Sequence, residues 1–224
     1  MKKLLILGIC LLLAISSTVI ACQREETYPE VIVSVKLVAD EEYRQERNSW
    51  QEEAGRLLEA TSEFYQKQFG IRFLADEFIE WESPDLTPAP EGVYELAGTQ
   101  WLADNAADEI PNQGKLVVIL TGEDLSRRNA GILLTTERRG FKEYYVLVWA
   151  GSINPQNGLI HEIAHFFGAK HPQEWSWEYA EKYPSVMDPV KVFSTNTFDP
   201  KNRQIVLKNR DKFQEEVQNQ INKD

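Results

Sequence analysis

All three histidines of this 224-residue chain fall in one eleven-residue stretch, His161-Glu162-Ile163-Ala164-His165-Phe166-Phe167-Gly168-Ala169-Lys170-His171. The pattern is H-E-x-x-H-x-x-G-x-x-H, and each of its spacings carries a geometric consequence. Positions four apart on an α-helix share a face, so His161 and His165 can turn imidazole nitrogens towards one point. A continued helix would carry His171 roughly 240° around and about 9 Å past His165, out of reach of that point. The chain must therefore turn back between them. Gly168 suits the reversal, because a residue without Cβ enters the left-handed region at little cost. Three neutral imidazoles around one point describe a zinc site whose fourth position is left to water, the mark of a catalytic centre. Glu162, rotated off the histidine face, is placed to take a proton from such a water.

The motif resembles that of the metzincin metallopeptidases, and a second mark accompanies it. That family sets a methionine in a tight turn beneath the metal. Met187 is the one methionine besides Met1, and it stands in Tyr183-Pro184-Ser185-Val186-Met187-Asp188-Pro189. Without the upstream motif, Met187 would read as ordinary core filling. Pro172 after the third histidine looks like the serralysins, whereas Ser185 to Pro189 looks like the matrixins. Members with tyrosine as a further ligand carry it two residues past the methionine, where this chain has Pro189, so Tyr183 maps to no such role.

The resemblance implies an α+β zincin domain with a twisted, mostly parallel sheet, an antiparallel edge strand, a long backing helix, the zinc helix and a C-terminal helix. Its N-terminal subdomain would reach about residue 168 and its C-terminal subdomain would take 169–224. It also implies a zinc-dependent endopeptidase acting on protein or peptide substrates as a monomer. One catalytic zinc would sit on His161, His165 and His171, with Glu162 as general base and Met187 as structural floor. A zinc-binding surface lipoprotein serving capture or adhesion would keep the three ligands but has no use for Glu162. An exopeptidase, or a dedicated processor of one partner, would share the chemistry and close the cleft.

The N-terminus reads as a targeting segment. Lys2 and Lys3 precede an apolar run from Leu4 to Ile15, and Val19-Ile20-Ala21-Cys22 resembles a bacterial lipobox. Residues 1–21 are then a lipoprotein signal peptide, 22–30 a short tether, and 31–224 a single domain. Cys22 would carry lipid and tether the protein outside the cytoplasm to a bacterial membrane. An uncleaved anchor over Leu4–Ala21, or simple secretion, are the alternatives. Cys10 falls in the signal, so no disulfide and no cysteine ligand is expected. The net charge of −11 argues against nucleic acid and against binding anionic headgroups by charge, leaving lipid as the membrane contact.

Along the rest of the chain, Val31–Val38 alternates as a strand, and Glu42–Phe69 spaces Trp50, Ala54, Leu57, Leu58, Thr61, Phe64 and Tyr65 as one amphipathic helix stopped by Gly70. Ile71–Trp81 reads as a second strand, Ser83–Gly92 as a proline-rich loop and Tyr94–Ala107 as a shorter helix. Leu116–Thr121 is wholly apolar but for its last residue, a buried central strand. Gly131–Thr136 and Tyr144–Trp149 are further strands. By the family resemblance Gly131–Thr136 would pair with an extended substrate; otherwise it is an edge strand blunted by Glu137, Arg138 and Arg139. Asp199-Pro200 opens a C-terminal helix over 200–221, with Ile205, Leu207, Phe213 and Val217 as core contacts. Trp175, Trp177 and Tyr179 are either cleft wall or buried packing.

Overall fold

The strands β1 (Val31–Ala39), β2 (Ile71–Glu80), β3 (Leu116–Thr121), β4 (Gly131–Arg138) and β5 (Phe141–Trp149) form one sheet in the order β2-β1-β3-β5-β4. β2, β1, β3 and β5 run parallel, and β4 lies antiparallel against β5 at the edge. The computed structural model describes residues 28–84, 104–122, 131–138, 141–151, 154–172, 177–188 and 195–212. The signal-like segment with Cys10 and Cys22, most of the proline-rich loop, residues 94–103, Trp175, Phe213 and Val217 lie outside these.

Burial explains the central position of β3, since all six of its residues are buried and only a strand covered on both faces can be apolar throughout. Alternate side chains go to opposite layers. Val33, Val35, Leu37, Val118, Leu120, Val146 and Val148 belong to the larger core, with the helices α2 (Trp50–Phe69) and α3 (Pro155–Phe166). Val117, Ile119, Tyr145 and Leu147 belong to a second core with Trp81, Ala106, Ala107 and Ile110. The last three come from a segment that is helical over 104–109, where a helix was expected from Tyr94 to Ala107.

The stretch expected to be one helix from Glu42 to Phe69 is instead two, α1 (Glu41–Gln45) and α2. Asp40 separates their duties. Its Oδ1 accepts from Tyr43 N at 2.8 Å, capping α1, and from Gly122 N at 3.0 Å, fixing that short helix to the end of β3. α2 must lie along the sheet to bury Trp50, Ala54, Leu58 and Tyr65, so the chain breaks between the two. Tyr65 is the hub of the larger core. Its ring lies 5.3–6.2 Å from those of Phe64, Phe69, Phe73, Phe167 and Phe198, and its hydroxyl donates to Ile160 O at 2.7 Å. That bond and those rings join the backing helix to the motif helix α3.

Two further boundaries differ from the sequence reading. β4 continues to Arg138 and β5 begins at Phe141, because Glu137 and Arg138 gain ladder partners in Lys142 and Phe141. After α4 (Trp177–Lys182), the C-terminal helix is described as α5 (Pro200–Asn209). Its buried positions are Asn202, Val206 and Arg210, while the expected contacts Ile205 and Leu207 are only half-buried. The face follows from hydrogen bonding. Arg210 Nη1 donates to Phe69 O at 2.9 Å, and Asn202 serves the motif segment.

Candidate metal centre

Local sequence sets where α3 starts and stops. Asn154 accepts from Asn157 N at 3.1 Å and Pro155 fills the first helical position, where no amide donor is required. At the far end Gly168 N donates to His165 O at 2.8 Å and Ala169 N to Ala164 O at 3.0 Å, a Schellman closure. Gly168 adopts φ 88°, and a Cβ there would stand 3.1 Å from Asn209 Nδ2. Glycine therefore supplies both the left-handed turn and the close approach of α5.

The turn returns His171 to the other two imidazoles. The Nε2 atoms are 3.1 Å apart for His161 and His165, 3.2 Å for His165 and His171, and 2.9 Å for His161 and His171. Tetrahedral coordination with metal–nitrogen bonds of about 2.0–2.1 Å calls for nitrogens about 3.3 Å apart, so this donor set fits a zinc ion. His161 Nδ1 donates to Val186 O at 2.6 Å and His165 Nδ1 to Ala169 O at 2.8 Å. Such bonds hold the ring and leave Nε2 as the lone-pair donor. Burial lowers all three imidazoles below their ordinary range, His161 to about 3 although its bond to Val186 opposes the shift. They are neutral near pH 7, the form that binds a metal.

Glu162 is buried beside this cluster and is not one of its converging groups. Burial pushes its carboxyl up to about 8, while a hydrogen bond from the Leu133 backbone holds it down. The edge strand β4 therefore reaches the carboxylate. Gly131 makes the approach possible, since a Cβ there would lie 2.5 Å from Leu147 O and 3.0 Å from Glu162 Cγ. A metal's positive charge beside Glu162 would favour its ionised form.

Met187 is fully buried, in the second central position of a tight turn in which Asp188 N donates to Ser185 O at 3.0 Å. The first central position is Val186, whose carbonyl holds His161, so this turn lies directly against the motif helix. Met187 shares a core cluster with Leu159, Ile160, Ile163 and Ala164. Tyr183 is exposed, with the Lys182 ammonium 5.3 Å over its ring. Trp177 and Tyr179 belong to α4, but their side chains lie outside the described residues. Sequence reasoning missed the carbonyls of Val186 and Ala169 and the side chains of Ser185 and Asn202. It found Asp199 only as a helix cap.

The chain matches the family Reprolysin_5, described as metallopeptidase family M12, over residues 30–186. No curated protein matches the chain. A solved structure titled "Structure of a chaperone-substrate complex" is similar to it with a TM-score of 0.53 at 13% identity, covering 84% of this chain. This chain spans 36% of that one, and at such identity the likeness concerns the fold alone. The family match takes in every strand, α3 and all three histidines, and on that ground the chain belongs to metallopeptidase family M12.

Proposed function

We propose that this metallopeptidase is a zinc-dependent endopeptidase of the metzincin kind, with His161, His165 and His171 as metal ligands and Glu162 as general base. The observation that carries the reading is the convergence of three imidazoles beside the buried carboxylate of Glu162. Zinc, when bound there, supplies a Lewis acid able to make water nucleophilic near neutral pH. The chain's own residues do the rest. Glu162 accepts the proton of the attacking water and passes it to the departing amine. Its carboxyl is buried and takes a hydrogen bond from the Leu133 backbone of β4. β4, antiparallel at the sheet edge, offers backbone groups along which an extended peptide would lie. Met187 packs under the ligands and moves no proton.

Incubating the zinc-loaded protein with a diverse peptide library, and reading cuts by mass spectrometry, tests the activity. Internal cuts that chelator abolishes are expected; removal of terminal residues alone would replace endopeptidase by exopeptidase, and no cuts at all would favour a capture protein. We further propose that Cys22 is lipidated after cleavage of residues 1–21, placing the domain outside the cytoplasm on a bacterial membrane. Labelled lipid should enter the wild-type chain and not Cys22→Ser.

A further inference from the structure

The three histidines are not held alike. His161 and His165 each have a backbone carbonyl on Nδ1. Among the described residues His171 has none, and it is the exposed member of the set. What the described residues do hold is the backbone beside it. The residue before it, Lys170, is clipped on both sides by one side chain: Lys170 N donates to Asn202 Oδ1 at 2.9 Å, and Asn202 Nδ2 donates to Lys170 O at 2.9 Å. A carboxamide bonded this way imitates a strand neighbour and leaves the peptide groups on either side of Lys170 little freedom to rotate.

Asn202 is itself immobilised. Its Nδ2 also donates to Asp199 Oδ2 at 2.7 Å, and Asp199 Oδ1 accepts from Asn202 N at 3.0 Å and from Lys201 N at 3.1 Å. Asp199 Oδ2 accepts in addition from Ser185 Oγ at 2.9 Å, and that hydroxyl accepts from Met187 N at 3.2 Å and Asp199 N at 3.2 Å. Ser185, Asp199 and Asn202 are all buried. The chain of bonds thus runs from the backbone next to His171, through the start of α5, into the turn whose Val186 carbonyl orients His161. Buried networks with every member satisfied hold one geometry, and partly satisfied ones do not.

We propose that Asn202 is a positioning residue for the metal centre, holding the third ligand His171 in place through Lys170, with Asp199 and Ser185 linking that grip to the turn at Val186 and Met187. The proposal rests on the three histidines being the zinc site. Residues that orient ligands from outside the coordination shell typically account for about 10–100-fold in metal affinity.

The test is a double-mutant cycle on the full chain, with zinc affinity read by competition against a chromophoric chelator. Asn202→Ala is expected to weaken zinc about 10–100-fold in the wild-type background. In the His171→Ala background the same substitution should change affinity little, because the ligand it positions is gone. Equal losses in both backgrounds, or no loss in the first, overturn the positioning role. Wild-type protein that binds no zinc overturns the metal centre itself, a different result. Should Asn202→Ala not fold, Ser185→Ala serves in its place, since it leaves the Lys170 clip and removes the hydroxyl's bonds to Asp199 Oδ2, Asp199 N and Met187 N. A smaller loss is then expected, part of it through the turn at His161, and it should be larger in chains that keep His171 than in His171→Ala; equal losses in the two backgrounds contradict the proposal.

Discussion

The body of the sheet and the segment from Ser185 to Arg210 both support the metal centre, and they do so by different physics. In the body, α2, α3 and the strands meet mainly through apolar side chains such as Leu58, Tyr65, Val118, Val146 and Ile160. The Tyr65 hydroxyl donating to Ile160 O and Phe73 N donating to the Ser62 hydroxyl are among the few directed bonds between them. In the C-terminal segment the contacts that matter are directed. Ser185, Asp199 and Asn202 are buried polar groups, and each bond they make has one partner and one geometry. Apolar burial is non-directional and tolerant of small shifts, so it fixes the platform. Hydrogen bonds hold angle and distance, so they suit the place where a third ligand must meet two others. The body supplies stability, and the C-terminal segment supplies aim.

The contrast is open to direct attack. Leu58→Ala empties a buried site in the body and should cost about 2–5 kcal/mol of stability while leaving zinc affinity unchanged. Asp199→Ala removes the cap of α5 and leaves the Ser185 hydroxyl and the Asn202 amide short of a partner. It should cost about 2–4 kcal/mol and also weaken zinc. Denaturant unfolding and chelator competition on the two variants separate the cases. If Leu58→Ala disturbs zinc as much as Asp199→Ala does, platform and aim are not divided as described.

The same division accounts for what could be read in advance. Leu116–Thr121 announces a central strand because six residues that are nearly all apolar have no other comfortable place, and Trp50 to Tyr65 announces a helix by its period. The histidine motif is legible because its offsets encode the helix and its reversal at Gly168. The split between α1 and α2 was hidden, since it depends on Asp40 reaching Gly122 across 82 positions of chain. The inward face of α5 was hidden for the same reason. Hydrophobic period favours Ile205 and Leu207, whereas the structure buries Asn202 and Arg210, whose partners are Lys170 and Phe69. Period is a local signal, and a long-range polar pairing leaves no trace in it.

A smaller effect sharpens the electrostatic side. In the chelated protein His161 has a folded value of about 3 against an ordinary 6.5, so the unfolded chain takes the proton first. Its contribution is full above pH 6.5 and is lost as pH falls towards 3. Glu162, raised from 4.5 to about 8, acts oppositely: its contribution is full below 4.5 and is lost as pH rises through 8. His165 and His171, also lowered by burial, act in the same direction as His161, so the chelated chain should lose stability as pH falls through the acid range and, through Glu162, as pH rises towards 8. Glu162→Gln should abolish the alkaline fall and keep the acid one. An alkaline fall that persists in Glu162→Gln would assign it to some other group.

Met187→Leu should show the smallest change. The volumes are close, so stability should drop by less than about 1.5 kcal/mol, with zinc retained because the three histidine nitrogens that converge are left in place. Activity should decline partly. Loss of zinc in this variant would mean that the turn is fixed by the methionine rather than by Ser185 and Asp199.

The central claim, that a zinc ion on His161, His165 and His171 works with Glu162 as proton acceptor, is tested most directly by turnover of one cleaved peptide with wild type and Glu162→Ala at equal zinc occupancy. The account predicts zinc bound one to one in both proteins and kcat reduced about 10²–10⁴-fold in the variant. Undiminished kcat in a fully zinc-loaded Glu162→Ala chain would contradict it.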